Sequence, residues 1–219
     1  MVSYRIYVVF KGILGSIMKI SNFINNPLFS GSMVMIIGGN VTNFLNYIYH
    51  LIMGRLLGPI GYGELAALIS LMGLIGMIPL SLGLVVTKFI SSAKDDDERK
   101  NLASWFSKNT FLLSLVIFFL AGVSSPALGL YLNIESNILV IMIGSLFLFL
   151  LPSTFNRAVL LGFLRFKEYV FSVVAENGTK LLLGTVLVFG GFRVFGAVFG
   201  LIIAAFLGFL LSRYYIRDT

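Results

Sequence analysis

Long apolar blocks constrain this chain more than any other feature, and they fall near residues 31–53, 60–87, 109–125, 137–156, 168–189 and 194–212. A helix needs about 20 residues to cross a hydrocarbon core of roughly 30 Å. Lipid offers no hydrogen-bond partner, so every backbone N–H and C=O must be satisfied within the segment itself. Continuous apolar runs therefore imply helices, because a transmembrane barrel would alternate polar and apolar residues in short stretches. The mean hydropathy of +0.98 agrees, as does a charged fraction of only 11%. A soluble domain of 219 residues would need more charge to cover its surface. The predicted fold class is all-α integral membrane, a bundle of six transmembrane helices spanning 28–219.

The charges then orient the bundle. Lys and Arg in the connections mark the cytoplasmic side. One side holds Arg5, Lys11, Lys19, Lys88, Lys94, Arg99, Lys100, Lys108, Arg157, Arg165, Lys167, Arg213 and Arg217. The other holds Arg55 and Arg193, and Lys180 lies within a span. The asymmetry predicts both termini in the cytoplasm (N-in/C-in). It also accounts for most of the net charge of +7 as topology, which argues against nucleic acid as a partner.

Residues 1–27 read as an amphipathic interfacial helix. Arg5, Lys11 and Lys19 fall on one side, and Ile6, Val9, Phe10, Ile13, Ile17 and Ile20 on the other. Segment 88–108 reads as a connector with a short helix opened by Asp95, Asp96, Asp97 and Glu98, which suit the positive end of a helix dipole. Trp105 suits the headgroup level. A longer loop is expected over 124–137 around Pro126, with tight turns at 54–59 and 190–193. Gly73, Gly76, Pro79 and Gly83 make the second span easy to bend. No cysteine is present and His50 is the single histidine, so neither a thiolate nor a histidine-built metal site is expected. No cofactor is implied, and no G-x-x-x-x-G-K-[ST] loop for ATP occurs.

The stretch Gly54-Arg55-Leu56-Leu57-Gly58-Pro59, continuing to Tyr62-Gly63, follows an asparagine-rich span. With Arg157, Gly162, Arg165 and Phe166 in the connector after the fourth span, it resembles the N-terminal part of Wzx-type oligosaccharide flippases. These belong to the MOP (multidrug/oligosaccharidyl-lipid/polysaccharide) exporter superfamily. The resemblance implies one lobe of a MOP/MATE-like transporter, whose usual members carry two six-helix lobes around a central cavity. It implies a bacterial or archaeal inner-membrane location. The partners it implies are membrane lipids, a lipid-linked (polyprenyl-diphosphate) oligosaccharide, and a second six-helix lobe or a homodimer partner.

Polar residues inside the spans are the candidate site. Asn40, Asn43, Asn46, Tyr47, His50 and Gly54 share an arc of about 120° on the first helix. Lipid penalises such a face, so it is expected to look into the bundle or a hydrated cavity, serving either interhelical hydrogen bonds or substrate. Glu176 and Lys180, one turn apart in the fifth span, are either an intrahelical ion pair or a substrate contact or coupling group. Arg157 at the inner face and Arg55 at the outer face are either topology anchors or phosphate contacts. Gly196, Gly200, Ala204 and Gly208 form a small-residue ridge for packing within the lobe or against a partner.

The leading reading is translocation of a lipid-linked oligosaccharide for cell-surface polysaccharide export, by one half of a full transporter. Alternatives are half of a MATE-like small-molecule exporter, and a non-transporting fragment or scaffold. An enzyme is not expected, because no cluster of His, Asp and Glu lies at a membrane face.

Overall fold

The computed structural model describes residues 27–132 and 136–217, so the predicted amphipathic helix over 1–27 lies outside the described residues apart from Pro27. Among the described residues all regular structure is helical: α1 (Pro27–Ser92), α2 (Asp96–Tyr131), α3 (Asn137–Gly162), α4 (Phe166–Leu187) and α5 (Arg193–Arg217), with a π-helical segment at Val188–Phe192. Four helical stretches are long and apolar enough to cross a membrane: Ser30–Ser92, Asp97–Tyr131, Asn137–Gly162 and Phe166–Arg217. The chain is therefore compatible with a membrane helical bundle.

Two of these stretches are too long to run straight. At 1.5 Å per residue, 63 residues would extend about 95 Å, some three bilayer cores. The longer one doubles back at Gly58, whose φ of 68° and ψ of −178° lie in a region open only to glycine. Side-chain contacts prove the reversal. His50 Nδ1 and Tyr62 Oη are 3.2 Å apart, although twelve helical residues would separate them by about 18 Å. A second reversal follows α4, where the π-helical turn contains Gly191 at φ 93° and leads into Arg193 at φ 47°.

Contacts along the chain fix the directions. In the first arm of α1, Gly31 lies against Phe166, Asn46 meets Lys180, and Tyr49 lies against Gly184, so this arm runs parallel to α4. In the second arm, Thr87 Oγ1 donates to the carbonyl of Ala158 at 3.0 Å and Ile90 lies against Gly162, so it runs parallel to α3. α2 antiparallels α3, with Ala121 against Gly144 and Asn137 against Gly129. α5 antiparallels α4, with Gly200 against Gly184 and Arg165 Nη1 donating to the carbonyl of Tyr215 at 2.8 Å. One end of the bundle thus gathers residues 27–31, 88–108, 157–167 and 213–217, which carry most of the described Lys and Arg.

α3 and α5 are the buried heart. Phe147, Leu151, Ala197 and Val198 pack there with Tyr49, Met53, Leu65 and Leu68 of α1. The outer surface is apolar, with Leu74, Leu80, Leu84, Phe119, Val123, Leu182 and Val186 all exposed. Water would not tolerate that surface, and acyl chains satisfy it.

Several local expectations are corrected. The connector and third span are one helix, because Asp95 caps α2 by accepting from Glu98 N–H at 2.8 Å and nothing interrupts the helix afterwards. Pro126 lies inside α2, which runs on to Tyr131 in place of the expected loop from 124. The tight turn expected at 54–59 is, by contrast, where α1 breaks, at Gly58, and the backbone stays helical through Pro79. The small-residue ridge is wholly internal: Gly196 lies against Leu187, Gly200 against Gly184, and Gly208 against Glu176 and Arg157. It is buried between α4 and α5, which excludes it as a partner-facing surface.

The Gly58 backbone gives a sharp prediction. A Cβ there would meet nothing within 4 Å, so Gly58→Ala acts through conformation alone. It should destabilise the protein by about 1–3 kcal/mol. Gly63→Ala, inside the helix and equally uncrowded, should be neutral or slightly stabilising. Thermal unfolding of both variants in one detergent checks the contrast, and equal midpoints would refute it.

Candidate functional site

Four of the polar residues predicted from sequence, Asn46, Arg157, Glu176 and Lys180, meet on α4, in pairings not read from the sequence. Glu176 and Lys180 sit one turn apart and reach different neighbours. Arg157 Nη2 donates to Glu176 Oε2 at 2.6 Å and to the Ser172 carbonyl at 3.0 Å, and Arg157 Nε donates to Ser172 Oγ at 2.6 Å. This guanidinium is 8% exposed at the residue level, inside the lobe where α3, α4 and α5 meet. It fits because residue 208 has no side chain: a Cβ there would collide with Glu176 Oε2 and lie 2.8 Å from Arg157 Nη2. Of the two readings of Glu176 and Lys180, the intrahelical ion pair gives way to Arg157–Glu176. Arg157, expected as a topology anchor or a phosphate contact, is buried with its Nε and Nη2 in this clamp.

Lys180 points the other way, toward α1. Its Nζ donates to Asn46 Oδ1 and lies 5.0 Å from the centroid of the Tyr49 ring. Asn46 is held for this by its own Nδ2, which donates to the Thr42 carbonyl at 3.0 Å. An amide dipole and a ring face are thus the near partners of this cation. Asn177, between the two charges, donates to the Val173 carbonyl at 2.9 Å.

The asparagine stripe on α1 does not point uniformly inward. The core-facing line of this arm is Asn46, Tyr49 and Met53, spaced three and four residues apart, and Tyr49 and Met53 are fully buried. Asn40, Asn43 and Tyr47 lie on the adjoining flank and are exposed, Tyr47 at 65%. Asn40 turns its Nδ2 back to the Ile36 carbonyl at 2.8 Å. Asn43 lines a shallow cleft of about 230 Å³ between α1 and α4, with Gly38, Thr42 and Tyr169. Arg55 is exposed near the Gly58 turn, far from the others. The arrangement is a membrane-embedded polar seam: Lys180, Asn46 and Tyr49 inside it, with Asn40, Asn43 and Tyr47 along its open flank.

A family model described as "Polysaccharide biosynthesis protein" matches residues 28–219. The chain belongs to that family. It is the family of Wzx-type flippases in the MOP superfamily, whose members are transporters and not enzymes. The protein is thus a membrane transport protein of polysaccharide biosynthesis. No curated protein and no solved structure matches the chain. In this family member the motif residues acquire structural meanings. Gly58 makes the reversal in α1, and Tyr62 supplies the partner of His50. Arg157 supplies the clamp, while Arg165 ties the α3–α4 turn to the end of α5.

Sequence reasoning missed Ser172 and Tyr49. Ser172 leaves no trace in hydropathy. Tyr49 was legible in principle, since it shares a face with Asn46 and Met53, but an aromatic among apolar residues gives no polar signal.

The clamp predicts a specific mutant pattern. Removing one partner strands a buried charge, so Arg157→Gln or Glu176→Gln should each destabilise the protein by about 3–5 kcal/mol. The two together should recover most of that loss. Glu176→Gln with Lys180→Gln should not recover it. Folded yield and thermal midpoint in detergent decide, and rescue by the second double variant would restore the intrahelical pair.

Proposed function

We propose that this chain is one six-crossing lobe of a flippase that moves a polyprenyl-diphosphate-linked oligosaccharide across a bacterial or archaeal inner membrane. The observation that carries the reading is the polar seam on an otherwise apolar exterior. Exposed Asn40, Asn43 and Tyr47 are costly against lipid, and a hydrated cavity shared with a second lobe or a second copy removes the cost. In that cavity Asn and Tyr side chains hydrogen-bond sugar hydroxyls, and Lys180 at the seam attracts the diphosphate. The lipid tail stays in the bilayer while one lobe rocks against the other. The six crossings follow from counting each arm of the two doubled stretches as one crossing. The cytoplasmic side is the end that gathers the Lys and Arg.

Within this reading Arg157 is a positioning residue. Its Nε and Nη2 are committed to Glu176 and Ser172, so it orients α4 and with it Lys180. Glu176 is neutralised in the same way, which disfavours the alternative of a cation or drug exporter needing a free deep carboxylate. Arg55 serves as an anchor at the outer face.

Two measurements test the reading. Reporter fusions at 95 and 219 should both sense cytoplasm and one at 131 the outside; an external signal at 219 removes the six-crossing count. Lys180→Gln should reach the membrane at normal levels, yet lower complementation of a flippase-deficient strain at least about tenfold when the second lobe is supplied. That loss corresponds to about 1.4 kcal/mol, the scale of one charge-assisted contact. Full complementation by Lys180→Gln would sink its role.

A further inference from the structure

A second cavity lies outside the polar seam, lined by other helices than the α1 and α4 that form the seam. It is a groove of about 780 Å³ between the start of α2, the end of α3 and the end of α5. Four cations line it, Lys100 and Lys108 from α2 and Arg213 and Arg217 from α5, and no carboxylate does. Lys100 and Lys108 are eight residues apart on one helix face, and Arg213 and Arg217 are four apart on the other. Among the described residues none of the four has an ion pair. Two nearby acids are otherwise engaged: Asp95 caps α2, and Glu98 Oε2 accepts from Lys94 N–H at 2.8 Å. Deeper in the groove the walls turn apolar, with Phe111 and Phe209.

We infer that this groove binds an anionic phospholipid, phosphate among the four cations and acyl chain against Phe111 and Phe209. Topology alone asks only that Lys and Arg lie somewhere on the cytoplasmic side. It does not ask that four of them face one another across a cavity whose volume falls in the range of ligand sites. The gradation from charge to aromatic along the groove matches a lipid and not a soluble anion, which would leave the apolar end empty. Trp105, 62% exposed on the same turn of α2, marks the headgroup level. Placing this lipid in the cytoplasmic leaflet rests on the orientation proposed above, whereas binding itself does not.

The test uses the full chain in neutral detergent, where both ends are accessible. Native mass spectrometry should retain phosphatidylglycerol and not phosphatidylcholine, and inorganic phosphate at millimolar concentration should not displace it. Lys108→Gln with Arg213→Gln should weaken retention by at least about tenfold, as removal of two interfacial cations implies. Lys100→Gln with Arg217→Gln, both exposed, gives an independent reading should the first pair fail to fold. Lys94→Gln with Lys167→Gln removes the same charge from the same end outside the groove and should leave retention unchanged. Equal retention of the zwitterionic lipid, displacement by phosphate, or an equal loss in the Lys94/Lys167 variant would overturn the proposal. Ser104→Cys in this cysteine-free sequence, probed in intact cells with an impermeant maleimide, tests the leaflet separately. Labelling from outside would overturn the cytoplasmic assignment while leaving the groove standing.

Discussion

The buried contact between Arg157 and Glu176 ties the lobe together. Each charge, taken alone into a dry interior, would cost several kcal/mol even after relaxation. Together, with Ser172 supplying both a hydroxyl and a carbonyl to the same guanidinium, they satisfy one another at 2.6 Å and three helices become committed to one arrangement. α3 brings the arginine, α4 the glutamate and serine, and α5 contributes the absence of a side chain at Gly208. Apolar packing in lipid has little preference for one rotation of a helix over another, because lipid tails are as apolar as leucine. A buried ion pair has a strong preference. It fixes the rotation of α4, and that rotation turns Lys180 toward α1.

The seam between α1 and α4 is therefore a consequence of the clamp. With Glu176 turned to α3, the neighbouring turn of α4 presents Lys180 to Asn46 and the face of Tyr49. Close approach of α5 supports this, since Gly200 lies directly against the backbone of Gly184. The small-residue ridge thus serves as the floor on which α4 sits. The seam carries a cation whose near partners are a dipole and an aromatic ring, at the edge of a flank of exposed Asn and Tyr.

The two ends of the lobe differ in character. At one, Gly58 and Gly191 reverse the chain with backbone conformations that a side chain would strain, and little charge is present. At the other, side chains hold the turns: Arg165 donates both to Glu168 at 3.1 Å and to the Tyr215 carbonyl at 2.8 Å, and Asn156 reaches Ser212 at 3.3 Å. The basic end is thus cross-linked by hydrogen bonds, with the cation-lined groove opening between α2 and α5 beside them.

The sequence by itself determined the helical membrane class, the apolar stretches, the family and the segregation of basic residues. These follow from quantities summed along the chain, where segment length, hydropathy and loop charge need no knowledge of neighbours. It also located Asn46, Glu176 and Lys180 as polar residues at apolar depth, since lipid makes any such residue conspicuous. Only the tertiary structure decided their partners. Glu176 and Lys180 look paired on one helix because i and i+4 share a face, yet a facing arginine with better geometry takes the carboxylate. The asparagine stripe shows the same limit: an arc of 120° fits one helix face, but which part of it is buried depends on where α4 packs. Asn46 is turned to Lys180 while Asn40, Asn43 and Tyr47 stay on the open flank, because the bulk of Tyr49 and Met53 fixes the core-facing line.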